Sequence, residues 1–572
     1  MILSCVICIL MVICLFGELN LLFWIVIYKP FYMRLIYTLF LLLTFVSLDV
    51  AGQRKTIKLA QSHLDVGRYN EAIRVLQPLL SAEEVNREVY VLAGIAYLGD
   101  PGGSDYAITL FDKAIELYPP DEKLSRKALE TRLFKAQALH LSHRFDEALI
   151  IERDLLEITP ASDKDFIAAI NREIAYSENA LKMIAEPVAF QIQSMGRAFN
   201  SMHNEHSPVV SVDESTIYFT SNRPLEGMNS DDGDYFESIY ASYWRDGEWT
   251  AAVPVELPGS YYGNRATVSM SADGNTIVFY QNDGAIGNLH ESRLVFGSWT
   301  EPTPLPPPVN SGSNESHASF SLDGDRIFFT SDRPGGYGGK DIYVSHKLPN
   351  GFWGTPINLG PNVNTGLDED SPFLHPDGVT LYFSSEAHSS MGGHDLFFSR
   401  IDEEGKWSEP VNLGYPINTV YDDKFFLPTA DGQRVYYASR QADGYGAMDI
   451  YLITFPQNDE RSLAVVACHI FDEKGMPFSD VIVRIYDNEN NLLQGVYRPN
   501  SLSGKFVSVL PTGKNYRMEL EAEGYERYRE TFRVEIREVY GTRSRAFYLE
   551  PIILKPLNKE DGDGKAGLND SE

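Results

Sequence analysis

A tight Asp-Gly turn returns along the middle of this chain at Gly274, Gly324, Gly378 and Gly432, at intervals of roughly 50 residues. Each turn joins a strand of small and apolar residues to one rich in aromatics: "ATVSMSADGNTIVFYQND", "ASFSLDGDRIFFTSDRP", "SPFLHPDGVTLYFSSEAH" and "FFLPTADGQRVYYASRQ". A related block without the glycine, "SPVVSVDESTIYFTSNRP", precedes them. Asp-Gly supplies the positive φ that a two-residue hairpin needs. A third strand follows in every block ("SIYASYW", "NLHESRL", "DIYVSH", "DLFFSR", "DIYLITF"), and four blocks then place a Trp ahead of a Pro and Leu, at Trp249, Trp299, Trp353 and Trp407. Repeats of this size and make-up are the blades of a β-propeller.

The fifth block lacks its last strand because the chain leaves at Pro456. "EPVAFQIQSMGRAFNSMHNEHSP", ahead of the first block, resembles "EPVNLGYPINTVYDDKFF" at the end of the fourth, and would supply the missing strand. This closure, which removes free sheet edges, predicts five blades, with six as the alternative, over residues 187–457.

Residues 53–186 carry a helical period. Three stretches repeat a turn, an aromatic, a small residue one turn into the next helix (Ala72, Ala107, Ala148) and usually a closing Pro. That is the packing logic of a tetratricopeptide array, with a capping helix from Asp165 to Ile184. Residues 462–551 alternate as a small antiparallel sandwich, and 552–572 read as an acidic, disordered tail.

Two apolar runs open the chain, Ile2–Ile27 and Leu35–Leu48, separated by Lys29, Pro30 and Arg34. Residues 1–52 are read as an export region, with 33–52 as signal peptide and processing near Gln53. Inner-membrane anchoring through residues 2–27 is the alternative, that run being long enough to span. Cys5, Cys8 and Cys14 fall in this region, which leaves Cys468 alone in the body of the protein and no intrachain disulfide. A formal net charge of -30 repels phosphate backbones, so nucleic acid is not an expected partner.

Four blocks place an acid five residues after an Asn, at the entry to the first strand: Glu205, Glu315, Glu369 and Asp423 after Asn200, Asn310, Asn364 and Asn418. With Arg223 and Arg333 they form the candidate partner-binding mouth of the propeller. One reading is a docking surface for a basic partner or a cation; the other is internal pairing of each acid with a neighbouring loop, as Glu205 with Arg223. The second block exchanges both signs, with Arg265 and Asp283, while Ala387 and Gln441 break the pairing later. "RPGGYGGKD" is a repeat loop, since it lies between strands, lacks a GK[ST] ending and returns as "SSMGGHD" and "DGYGAMD". The histidines form no HExxH or other metal-ligand pattern, and no GxSxG or Cys/His arrangement occurs. No catalytic residue, metal or cofactor is therefore expected.

The blocks "FSLDGDRIFFTSDRPGGYGGKDIYVS" and "HPDGVTLYFSS" resemble the TolB-type, WD40-like (PD40) propeller repeat, and "DEKGMPFSDVIVRIYD", "SGKF" and "EGY" resemble a carboxypeptidase regulatory-like, transthyretin-like domain. The order of modules is similar to that of Bacteroidetes envelope proteins, among them a periplasmic component of type IX secretion that normally ends in an OmpA-like domain. This chain stops about twenty residues past the sandwich, so no such domain is expected. The resemblance implies a non-catalytic scaffold in the periplasm, associated with the outer membrane, binding envelope proteins in secretion or gliding machinery. A protein that binds peptidoglycan or other glycans is the alternative.

Overall fold

The structure is a computed structural model, which describes residues 53–82, 85–100, 102–225, 235–259, 261–282, 286–439, 444–446, 448–455, 463–535 and 546–557. The export region, Asp283, Gln441 and most of the acidic tail lie outside the described residues. Two compact units emerge, Met1–Glu173 and Ile174–Glu572.

The first unit is helical: α1 (53–64), α2 (Tyr69–Leu80), α3 (Arg87–Gly99), α4 (Ser104–Glu116), α5 (Arg126–Leu141), α6 (Phe145–Ile158) and the start of α7 (Lys164–Ala185). Asn86 caps α3 by accepting from Glu88 N, and Ser125 caps α5 by accepting from Ala128 N. Ala72, Ala107 and Ala148, the small residues of the repeat, are fully buried. Gly94 of α3 faces the Phe111 ring of α4, where a Cβ would come within 2.5 Å of it. Close helix approach filled by an aromatic is thus what the repeated spacing encodes.

The second unit takes in the rest of α7, whose Tyr176 Oη donates to Glu386 O at 2.6 Å and Asn179 Nδ2 to Ser390 O at 3.0 Å. Five antiparallel sheets follow in chain order. Their first strands, Glu205–Val210, Arg265–Met270, Glu315–Phe320, Glu369–Leu374 and Lys424–Pro428, touch one another in a closed cycle around a channel. The region is a β-propeller. The fifth sheet takes its outer strand from Gln191–Ser194, which pairs antiparallel with Tyr451–Thr454. The ring is closed as the repeat pattern predicts.

The turn glycines Gly274, Gly324, Gly378 and Gly432 all have φ between +66° and +76°, the left-handed conformation that an Asp-Gly hairpin requires. The Trp residues wedge into aromatic contacts, three of them reaching outside their own sheet: Trp249 on Phe199, Trp299 on Tyr218 and Trp407 on Phe328, with centroids 5.5 to 6.2 Å apart. Trp353 stacks on Phe320 of its own sheet.

Two further sheets finish the unit. One holds Leu463–Phe471 between Lys505–Pro511 and the short strands Phe547–Tyr548 and Ile552–Ile553; the other has the order Leu493–Tyr497, Ile482–Asp487, Asn515–Glu521, Tyr528–Arg533. Val466, Cys468, Ile470, Val483, Phe506, Tyr516 and Met518 fill the space between them. Cys468 is buried in that core, which pushes its thiol up to about 12.

Candidate functional site

The acids singled out by the repeat are spent inside the junctions between sheets. Each Asn of the motif accepts from and donates to the backbone of the preceding sheet's third strand: Asn200 holds Ile450 N and O at 2.8 and 2.9 Å, and Asn310, Asn364 and Asn418 hold Leu289, Ile342 and Leu396 the same way. The residue after the Asn then donates both backbone N–H and hydroxyl to the acid, as Ser201 does to Glu205 (2.7 and 2.7 Å) and Thr365 to Glu369 (2.7 and 2.7 Å). Ser221, Ser331 and Ser385 add a bond to Glu205, Glu315 and Glu369.

Arg223 Nε lies 3.1 Å from Glu205 and Arg333 Nη2 3.1 Å from Glu315, with both carboxylates fully buried. Of the two sequence readings, this geometry is that of internal pairing. Arg265, at the acid position of the second sheet, donates instead to Gln281 Oε1 at 2.9 Å. Burial pushes Glu369 up to about 7 despite the bonds from Thr365 and Ser385, and does the same to Asp423 despite Tyr437 and Thr419.

The repeat loop Gly335–Lys340 is structural as well. Tyr337 N and Gly338 N donate to the Asp341 carboxylate and Lys340 N to Asp368. A Cβ at Gly338 would lie 2.2 Å from Leu367 O of the next junction, so the glycine is a condition of sheet packing. These three amides are taken up by carboxylates, so none of them is offered to a phosphate.

What the channel mouth presents is a different set of side chains, His206, His317, Asp370 and Phe425 from one or two places past the acids and Lys340 from the repeat loop. Asp370, fully enclosed in the fourth sheet, receives His317 Nδ1 at 2.6 Å on one oxygen and Lys340 Nζ at 3.0 Å on the other. Ser316 Oγ and Ser371 N also donate to it, at 3.2 and 2.8 Å. Burial alone would raise the Asp370 carboxyl; His317, Lys340 and Lys424 outweigh it and hold it well below the usual range. Burial likewise opposes the charge on Lys340, and Asp370 reverses that, raising the amine.

Phe425, from the fifth sheet, lies 5.9 Å from the His206 ring of the first and 5.4 Å from the His317 ring of the third. It reaches two places round the ring and crosses the mouth. His206 Nε2 sits 3.1 Å from Glu237 Oε1, with Ser207 Oγ 2.8 Å from Nδ1. This hydroxyl, imidazole and carboxylate chain pins the His206 ring; Ser207 itself is buried.

Sequence reasoning missed His206, Asp370, Lys340 and Phe425. For three of them the signal available was a negative one: the two residues after each repeated acid are His206 and Ser207, Ser316 and His317, Asp370 and Ser371, or Lys424 and Phe425, positions that the repeat leaves free to vary, whereas nothing marks Lys340.

No family model and no curated protein matches the chain. Among solved structures, TolB from Acinetobacter baumannii is similar over 52% of this chain and 72% of its own, at 16% identity and a TM-score of 0.31. An endo-arabinase from Bacteroides thetaiotaomicron is similar over 48% of this chain and 99% of its own, at 15% identity and a TM-score of 0.31.

Proposed function

We propose that this chain is a non-catalytic scaffold of the bacterial envelope that docks a partner protein on the mouth of its propeller. In this reading the helical unit is a tetratricopeptide-type array, the ring is a five-bladed propeller of the TolB, WD40-like type, and the last domain is a carboxypeptidase regulatory-like sandwich. The protein is exported and works in the periplasm against the outer membrane, in secretion or gliding machinery.

One observation carries the proposal. His206, His317, Lys340 and Glu237, side chains of 15% to 35% exposure that carry groups of both signs, gather about Phe425 at the mouth, while the acids that hold the ring together are hidden. An aromatic centre inside a polar rim is the common anatomy of a protein interface.

Crosslinking in intact envelopes tests it. Full-length wild type should capture a discrete partner that the His317→Ala and Lys340→Ala proteins lose while remaining folded. Equal capture by wild type and both variants refutes docking at the mouth.

A second reading, glycan binding, draws on a cleft of about 660 Å³ between the second and third sheets and the sandwich. Phe352, Trp353, Tyr497, Arg293, Lys347 and Arg498 line it, and clefts of this size between domains are common ligand sites. Titration with peptidoglycan fragments, lost on Trp353→Ala, would support this reading over the first.

A further inference from the structure

The channel has two ends, and each is closed by a different element. At the hairpin end every sheet contributes one residue at the same place in its turn: Val212, Ala272, Leu322, Pro376 and Ala430. Val212, Leu322 and Ala430 pack against Val465, Ala467, Val507, Val509 and Ala546 of the sandwich, so the sandwich stops this end. At the other end Phe425 crosses the mouth between His206 and His317.

Between the two closures remains a cavity of about 110 Å³. Its wall is apolar and hydroxylated, with Pro208, Met270, Pro372 and Leu427 among the lining residues. The lining carboxylate, Glu214, is engaged by Arg434 at 2.6 Å and by the Tyr436 hydroxyl at 2.8 Å. Ser371 Oγ, by contrast, is a buried hydroxyl with no hydrogen-bond partner. A water takes up about 30 Å³ of liquid and an apolar cavity of about 150 Å³ admits benzene, so this space suits a branched group of about four carbons. An orphaned hydroxyl is unfavourable, and an acceptor on the entering group would satisfy it.

The backbone adds a second sign. Ser207, Ser371 and Phe425 occupy the same place in the first, fourth and fifth first strands, where each ladder is bulged, and have φ of +48°, +51° and +59°. Left-handed backbone at residues other than glycine is uncommon and clusters where a ligand is held. Here it falls on the orphan hydroxyl and on the stopper.

We propose that the channel is a blind pocket that takes one aliphatic side chain of the docked partner, entering past Phe425, with a carbonyl of that residue accepting from Ser371 Oγ. The identity of the occupant as part of a partner rests on docking at the mouth; the pocket itself does not.

The test uses the full chain and two small probes, N-acetyl-leucinamide and N-acetyl-glycinamide, followed by saturation-transfer NMR. The leucine probe should saturate and the glycine probe should not. Phe425→Ala should bind the leucine probe about tenfold more tightly, since the closed conformation no longer competes. Ser371→Ala should weaken it several-fold and Phe425→Trp should block it, with melting curves showing that the variants fold. No saturation in wild type or Phe425→Ala, equal response to both probes, or indifference to residues 371 and 425 would each overturn the pocket. Partner capture that survives in His317→Ala and Lys340→Ala beside intact probe binding would instead remove the mouth and leave the pocket standing.

Discussion

Lys505 of the sandwich and Asp213 of the propeller's first hairpin form an ion pair in which the carboxylate is 1% exposed. Lys505 Nζ also donates to Ser215 Oγ at 2.8 Å. Around the pair, Asn275 accepts from Ser501 N (2.9 Å) and donates to Pro499 O (3.1 Å), and Ser501 Oγ donates to Leu294 O (2.9 Å). The sandwich is thus fastened to the channel end that it closes, rather than tethered beside it.

Lys505→Met should cost about 3–5 kcal/mol, because it strands a buried carboxylate. The double change Asp213→Leu with Lys505→Met should recover much of the loss, since an apolar pair needs no desolvation of charge. Urea unfolding of the two proteins measures both. Burial pushes Asp213 up, but Lys505, Ser215 and Ser211 prevail and lower it. The pair's contribution is therefore present above the ordinary carboxylate range and lost as pH falls through the depressed value.

Glu369 and Asp423 act in the opposite direction. Both are pushed up to about 7 by burial, so the folded chain binds protons there that the unfolded chain has released. Stability should fall as pH rises from about 4.5 to 7, at about 1.4 kcal/mol per unit for each group at the steepest. Melting temperatures recorded from pH 5 to pH 8 should show the decline, and Glu369→Gln with Asp423→Asn should flatten it. An unchanged slope in that double variant would mean that another group titrates.

Asn200 carries the seam of the ring. It is bonded to both backbone groups of Ile450, 250 residues away, and to Ser194 Oγ at 3.1 Å. Asn200→Ala leaves the buried Ile450 N unpaired, at about 1–3 kcal/mol, while Ile450 O keeps its bond from Met195 N at 3.1 Å. The loss should expose the fifth sheet's outer strand to hydrogen exchange ahead of the others. Asn310→Ala should cost as much in global stability without that selective opening, because Leu289, which it holds, belongs to the second sheet, whose outer strands come from the same stretch of chain.

How far the sequence carried depends on whether a feature repeats. Gly324 and Gly378 announce their hairpins because a positive φ restricts the choice of residue, and Ala107 its helix contact because only a small side chain fits. The Asn and acid motif was visible for the same reason, yet its recurrence marks a structural joint; the acids hold loops and are hidden. The mouth is built from the exceptions. His206, His317 and Phe425 meet only after the ring closes; they stand one or two residues past the repeated acids, but the residue types there differ from sheet to sheet, so the repeat gives their places and not their meeting. The stop formed by the sandwich was also invisible, since Val212 and Leu322 look like ordinary turn neighbours until Val465 and Val507 cover them.

Asp370 gives the sharpest test of how the mouth is held. Its two oxygens bind His317 and Lys340, and the charge is enclosed. Asp370→Asn keeps the volume but leaves an amide with one acceptor oxygen, which cannot accept from His317 and Lys340 on two separate oxygens. The Lys340 amine, now raised mainly by Asp370 against the effect of burial, should fall toward or below its ordinary value, which NMR titration of the lysine side chain detects. Stability above pH 5 should drop by about 1.5–3 kcal/mol, since hydrogen bonds to a charged carboxylate are lost while Lys340, a third exposed, can still be solvated. The difference should narrow in acid, because the wild-type carboxylate itself becomes protonated as pH falls through its depressed value. His317 should also lose its fixed ring orientation and with it the contact on Phe425. If the Lys340 titration and the thermal stability are both unmoved in Asp370→Asn, the cluster is not the electrostatic anchor of the mouth.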